Sequence, residues 1–183
     1  MKSTNLIFSF NSIVFLFLIL SYPAKIFGLE NQNSSYNRDS LISAAKEVMI
    51  EIRFCALITL DDAGLPQVRT MDPFAPDSDM IVWFGTNKNS RKVKEIRNNS
   101  KATLYYQASG ARGYVVLSGD AYLVDDPDLK LKYWKSEWKS FYPESRENYT
   151  LIKFVPVKLE IIDYKHNITG DPITWNVPNI RFK

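Results

Sequence analysis

Short apolar runs separated by polar turn residues make up most of the chain, and apolar residues recur at helical spacing in only a few places. Runs rich in β-branched and aromatic residues and bounded by turn residues predict strands. These runs lie at residues 54–60, 67–71, 80–84, 102–107 and 114–124, and at 151–154 and 157–162, where Pro156 predicts a bend.

Three segments predict helices. Apolar residues between positions 41 and 52 share one helical face, and Asp39 or Ser40 is placed to cap that helix. A second helix is predicted at 90–97. Pro127 begins a third, rich in aromatic residues, that runs to Phe141 and stops at Pro143.

Many short strands with few helices predict a mainly β fold with flanking helices. We expect a closed antiparallel barrel, because closure removes exposed strand edges. At 183 residues and 45% hydrophobic content the chain can bury one core, and domain-size statistics favour one domain. That domain is expected to span residues 38–164, followed by a tail at 165–183.

The N-terminus has the pattern of an export signal. Lys2 precedes an almost continuous apolar stretch at 6–20, and the segment 21–28 ends in the small residue Gly28, so residues 1–28 are predicted to be a secretory signal peptide and 29–37 a linker. We therefore expect export, to the periplasm or outside the cell. An uncleaved membrane anchor is the alternative, although the stretch is short for a span of about 20 residues.

Removal of that signal takes the basic residues from 23 to 21 against 20 acidic ones. Such a near-neutral chain does not indicate a general polyanion-binding surface. The segment 89–101 holds five cations and one acid, but no interleaved aromatic residue, so we expect no nucleic-acid binding.

The residues of common catalytic sites are scarce. Cys55, the one cysteine, lies in an apolar run and is predicted to be a buried small hydrophobe rather than a disulfide or metal ligand. His166, the one histidine, lies in a turn-rich segment where a surface role is expected. No metal site is predicted.

The heptapeptide TNKNSRK, residues 86–92, joins a predicted strand to a predicted helix. The first N–H groups of a helix lack internal partners and favour an anion, and Thr86, Ser90, Arg91 and Lys92 add hydroxyls and cations there. The sequence thus indicates a phosphate site. The other interpretation is a capped surface helix with a solvated basic face.

Two more segments accompany this one: GLPQVRTMD at 64–72 and NNSKATLYY at 98–106. In this order and spacing, and with Gly-Thr-Asn followed by Ser-Arg-Lys, residues 38–164 resemble the flavin-binding split barrels of the pyridoxamine 5'-phosphate oxidase superfamily. Within it, the chain is most similar to the general-stress-protein branch.

That resemblance implies FMN as the cofactor, a split β-barrel, and a homodimer with flavin at the subunit interface. It assigns flavin contacts to Arg69, Thr70, Met71 and Asp72 on one strand and to Gly85 and Thr86 at the end of another, and phosphate contacts to Ser90, Arg91 and Lys92. If Arg69 faces the core, its buried charge needs an anionic partner, and a phosphate would be one. The alternative for Arg69 is a surface-facing position.

The chain also departs from the family. True pyridoxamine-phosphate oxidases carry a C-terminal Arg-x-His pair, which residues 173–183 lack, and a substrate-phosphate set that residues 129–141 lack. We therefore predict no pyridoxamine-phosphate oxidase activity. The leading hypothesis is an FMN-dependent oxidoreductase of unknown substrate or a redox-capable flavin carrier. The alternative is a non-catalytic protein that holds flavin, haem or another anionic cofactor on the same barrel.

Overall fold

The computed structural model describes residues 36–142 and 146–183. The predicted signal peptide and most of the predicted linker lie outside these residues. Within the described ranges, no helix is long and apolar enough to cross a membrane.

The described chain contains seven strands and three α-helices. The strands are β1 (Cys55–Leu60), β2 (Pro66–Met71), β3 (Val82–Asn87), β4 (Lys101–Gln107), β5 (Gly113–Val124), β6 (Tyr149–Asp163) and β7 (Asn179–Arg181). The helices are α1 (Arg38–Glu51), α2 (Arg91–Asn98) and α3 (Pro127–Lys132). The sequence pattern predicted the first six strands; β3 begins later than expected and continues to Asn87.

All strands pair antiparallel in one curled sheet of order β2-β1-β4-β5-β6-β3, with β7 also paired to β6. The expectation of a closed barrel was wrong, because β2 and β3, at the two ends of this order, do not pair with each other. The connection between them lies along β3 instead: the N–H of Phe74 donates to the carbonyl of Trp83 at 2.9 Å. The barrel is open, which is consistent with the split-barrel fold.

The last predicted strands are one continuous strand. β6 pairs with the whole length of β5, from Leu151 to Asp163, and the register shifts where Ser118 faces Lys158 and Gly119 faces Pro156. Val157 is thus the extra residue of a β-bulge, which absorbs the bend expected at Pro156. Gly119 is required there, since a Cβ on it would lie 2.1 Å from the carbonyl oxygen of Val155.

The main core lies between the concave face of the sheet and α1, which buries Leu41, Ala44, Ala45, Val48 and Met49. Helix α1 starts earlier than predicted. Asn37, rather than Asp39 or Ser40, is the N-cap residue, and its side chain accepts a hydrogen bond from the N–H of Asp39 at 3.0 Å.

A second, aromatic cluster covers the opposite face of β3 and the start of β6. Its buried members are Trp83, Trp138, Tyr149 and Leu151. The predicted long aromatic helix is broken: α3 ends at Lys132, and Ser136–Ser140 form a short 3-10 helix. The break lets Tyr133 stack on Trp83, with ring centroids 4.6 Å apart, so tertiary packing overrides the helical pattern.

The predicted tail returns to the sheet. Its strand β7 pairs with β6 beside β3, and Ile168 and Ile180 are buried in the main core. A turn between them is held by Asp171, whose Oδ1 accepts hydrogen bonds from the N–H groups of Ile173 and Thr174.

Candidate functional site

The segment between β3 and α2 brings together the polar side chains of Thr86, Ser90 and Lys92, which the sequence predicts to hold a phosphate. Ser90 is the N-cap residue of α2, yet its side chain makes no capping hydrogen bond. Its Oγ lies 3.4 Å from Oγ1 of Thr86, which is buried and accepts a hydrogen bond from Nζ of Lys92 at 3.2 Å. Two hydroxyls and an ammonium group therefore meet at the start of a helix, as an anion site requires.

Lys92 is a half-buried cation that has no carboxylate partner among the described residues. Burial lowers the pKa of its ammonium group, and the nearby charges of Arg69 and Arg91 lower it further, while Glu95 opposes them. Desolvation and like charges both disfavour the protonated form, so an anion bound beside Nζ would relieve this penalty.

Arg69 does face inward, but the protein itself supplies its anionic partner. Its Nη2 donates to Oε2 of Glu95 at 2.6 Å, and its Nη1 contacts the buried hydroxyl of Thr59. The side chain of Glu95 is only 4% exposed. Because Glu95 already balances the charge of Arg69, that charge does not by itself require a phosphate.

Arg91 is joined to the same carboxylate from the solvent side. Its side chain is 67% exposed, and its Nε lies 2.9 Å from Oε1 of Glu95. The role of Glu95 was not predicted from the sequence, because a charged residue in a basic helix is expected on the solvated face. Its spacing of four residues from Arg91 was the available signal.

The other four predicted flavin contacts make their interactions elsewhere. Thr70 is exposed on the strand face opposite to Arg69, and Met71 belongs to the main core. Asp72 pairs with Nζ of Lys135 at 2.8 Å. Gly85 faces the aromatic cluster, beneath Trp138. Their contact with flavin stays a prediction, whereas the side chains of Arg69, Thr86, Ser90, Arg91 and Lys92 gather around the start of α2.

A second charged network lies at the far end of β6. Asp163 is fully buried and accepts hydrogen bonds from Nε of Arg112 at 2.8 Å and from Nη2 at 3.2 Å. The same guanidinium group reaches Glu47 and Glu51 on α1. His166 is exposed, in agreement with the expected surface position. Its Nδ1 lies 2.6 Å from Oδ2 of Asp163 and its Nε2 lies 3.2 Å from Oε2 of Glu47, so it links α1 to the sheet.

Burial of Cys55 confirms its predicted role as a small hydrophobe, and it raises the pKa of its thiol to about 12. Among the described residues, no three His, Cys, Asp or Glu side chains lie together so that they could hold a metal ion.

Comparison with known proteins identifies the fold and the family. Among solved structures, general stress protein 26 from Bacillus anthracis matches with a TM-score of 0.58 at 26% identity, covering 67% of this chain and 93% of that chain. A protein related to general stress protein 26 from Clostridium acetobutylicum matches with a TM-score of 0.65 at 18% identity, covering 80% and 97%. The latter likeness shows the fold alone.

A pyridoxamine 5'-phosphate oxidase-related, FMN-binding protein from Nostoc punctiforme also shares the fold, with a TM-score of 0.56 at 16% identity, covering 81% of this chain and 98% of that one. A pyridoxine/pyridoxamine 5'-phosphate oxidase from a Bradyrhizobium species is 33% identical over 93 residues. That match covers 45% of this chain and 43% of the relative, so the chain spans less than half of the relative's length.

The family model described as pyridoxamine 5'-phosphate oxidase like matches residues 41–170, most of the described chain. The resemblance drawn from the three sequence segments is thereby confirmed, and the chain belongs to the pyridoxamine 5'-phosphate oxidase-like family.

Proposed function

We propose that this protein binds FMN and holds its phosphate at the start of α2. The carrying observation is Lys92, a half-buried cation without a carboxylate partner in the described chain, whose ammonium group donates to Thr86 beside the uncapped hydroxyl of Ser90. The N–H groups of Arg91 and Lys92 in the first turn of α2 add to the donor set, whereas that of Val93 already donates to the carbonyl of Ser90. Hydroxyls, N–H groups and an ammonium fit a phosphate monoester.

When bound, the isoalloxazine ring supplies the capacity to accept and donate electrons. The chain's own residues bind and orient the cofactor: Lys92, Ser90 and Thr86 hold the phosphate, and Arg69 and Arg91 contribute positive charge behind it. In this proposal the protein is a flavin-dependent oxidoreductase of unknown substrate. The proposal does not extend to pyridoxamine-phosphate oxidase activity, because residues 173–183 hold no Arg-x-His pair and residues 129–141 no substrate-phosphate set.

The second candidate is a non-catalytic protein that stores or carries flavin, haem or another anionic cofactor. One observation favours it: the carboxylate at the site, Glu95, is engaged by Arg69, Arg91 and Thr59, so it is not free to act as a general acid or base. Reduction of the bound flavin by NADH or NADPH with reoxidation in air supports the oxidoreductase, whereas flavin inert to such donors supports the carrier.

Export through the N-terminal signal and assembly as a homodimer belong to the same proposal. The convex face of the sheet is suited to self-association, because apolar side chains on neighbouring strands lie together there. Ile58 is paired with Val68, and Tyr105 with Val116. Val68 is 63% exposed.

Titration of the purified protein with FMN and with riboflavin tests the phosphate site. Riboflavin lacks the phosphate, so the wild-type protein is expected to bind FMN more tightly. Lys92→Ala should weaken FMN binding by roughly 10- to 100-fold, the effect of one charge-assisted hydrogen bond, and leave riboflavin binding unchanged. Lys94→Ala is the matched control, since Lys94 lies on the same helix and pairs with Asp62 in solvent. Equal binding of FMN and riboflavin by the wild type would refute the proposal.

A further inference from the structure

Glu95 lies among the cations that the family resemblance assigns to phosphate. Its Oε2 accepts hydrogen bonds from Arg69 at 2.6 Å and from the hydroxyl of Thr59 at 2.5 Å, and its Oε1 lies 2.9 Å from Nε of Arg91. The carboxylate of Glu95 thus pairs with the guanidinium groups of Arg69 and Arg91, as an anionic ligand would.

The carboxylate is not fully satisfied in this arrangement. Oε1 is buried and has no aligned hydrogen bond, so its interaction with Arg91 is an ion pair only. A buried charged oxygen without a hydrogen bond is costly. The site therefore carries an internal acid whose negative charge acts on the ammonium group of Lys92, and that charge also repels a phosphate bound beside the ammonium group.

Resting on the proposed function, we propose that Glu95 is an internal counter-ion that limits the affinity of the phosphate site. The ligand phosphate has to share Arg69 with the Glu95 carboxylate. Arg91, which is mostly exposed, acts through Glu95 by neutralising it, and is a positioning residue rather than a direct phosphate ligand.

Glu95→Gln tests this, because the amide keeps the size of the side chain and can still accept from Arg69 while the charge is lost. FMN affinity should rise by about tenfold, the scale of one charge–charge interaction near the surface, and riboflavin affinity should not change. Asp62→Asn is the matched control: it removes the same charge from an exposed pair with Lys94 on the same helix and should leave FMN affinity unchanged.

Arg91→Ala then separates the two roles of Arg91. If Arg91 acts through Glu95, its loss weakens FMN binding in the wild-type background and has little effect in the Glu95→Gln background. An equal loss in both backgrounds would make Arg91 a direct ligand and overturn that assignment. An unchanged or lowered FMN affinity of Glu95→Gln would overturn the counter-ion role.

Failure of the proposed function gives a different result: the wild-type protein would then bind FMN no more tightly than riboflavin. In that case both the phosphate site and the counter-ion role of Glu95 would be refuted. If Glu95→Gln does not fold, NMR of the wild-type protein can test whether the phosphate shares Arg69 with Glu95, through the side-chain nitrogen resonances of Arg69. They should shift on addition of FMN but not of riboflavin, and an absence of shift with FMN would overturn the inference.

Discussion

Gly85 lies directly beneath the indole of Trp138: a Cβ added to Gly85 would be 2.3 Å from Cζ3 of that ring. The ring of Tyr149 is almost as near, at 2.4 Å. Both rings belong to the aromatic cluster on the outer face of β3 and are buried. The absence of a side chain at position 85 therefore serves aromatic packing, whatever its backbone does for a cofactor.

Gly85→Ala is expected to destabilise the protein by about 1–3 kcal/mol, because a methyl group forced into a packed core displaces its neighbours. Urea denaturation followed by tryptophan fluorescence measures the loss. Gly170→Ala is the control, since a Cβ there meets its nearest atom at 3.4 Å, an ordinary contact. If both variants lost the same stability, the close packing of Trp138 on Gly85 would not be the cause.

Arg112 is expected to matter far more for stability than a surface cation at a similar distance from its partner. Arg112→Met keeps much of the packing but leaves the buried carboxylate of Asp163 without its guanidinium partner, which should cost about 3–5 kcal/mol. Lys94→Ala breaks the 2.6 Å pair with Asp62 in solvent and should have no resolvable effect. Equal losses in urea denaturation would contradict the role of burial.

The pair of Arg112 and Asp163 also predicts how the stability of the protein depends on pH. Burial alone would raise the pKa of Asp163, but hydrogen bonds from Arg112 and His166 more than offset it, so its pKa lies below the ordinary value. The stabilisation that the ionised Asp163 gives the folded state is present above the pKa of about 3.9 that an aspartate has in the unfolded chain. It is lost as the pH falls through the lower pKa of Asp163 in the folded state. In Arg112→Met, protonation of Asp163 instead relieves a buried charge that has lost its guanidinium partner. The stability difference between wild type and variant should therefore narrow below about pH 4.

Local patterns predicted most of the elements, but not how the sheet ends. Short apolar runs bounded by turn residues located β1 to β6. Closure of the barrel depended on whether β2 reaches β3, and the backbone of Phe74 pairs with Trp83 instead. No periodicity encodes that hydrogen bond. The break after Lys132 was missed for a similar reason, because the stacking of Tyr133 on Trp83 is a tertiary contact.

The candidate site was predicted in part. Thr86, Ser90 and Lys92 lie close in sequence around a strand-to-helix junction, so their meeting follows from local structure. Glu95 was missed as the partner of Arg69, because those residues are 26 positions apart and meet only when α2 packs on the sheet. Arg112 and Asp163 are 51 positions apart in the sequence, and no sequence motif predicts that they pair.

The convex face of the sheet supports a prediction about assembly. Val68 lies on the edge strand β2 and is 63% exposed beside Ile58, while β1 and β4 carry further partly buried side chains on the same face. Exposed apolar side chains on neighbouring strands mark interaction surfaces more often than isolated ones do. A homodimer formed through this face would remove Val68 from water.

Val68→Asp is therefore expected to convert the dimer to a monomer, because a carboxylate buried without a partner at an interface costs about 2–5 kcal/mol. Light scattering coupled to size-exclusion chromatography gives the mass of each variant. Ile50→Asp is the matched control: Ile50 is 65% exposed on α1, away from the convex face, and its replacement should leave the dimer intact. A monomeric wild type would refute the homodimer itself, and a dimeric Val68→Asp would place the interface elsewhere on the surface.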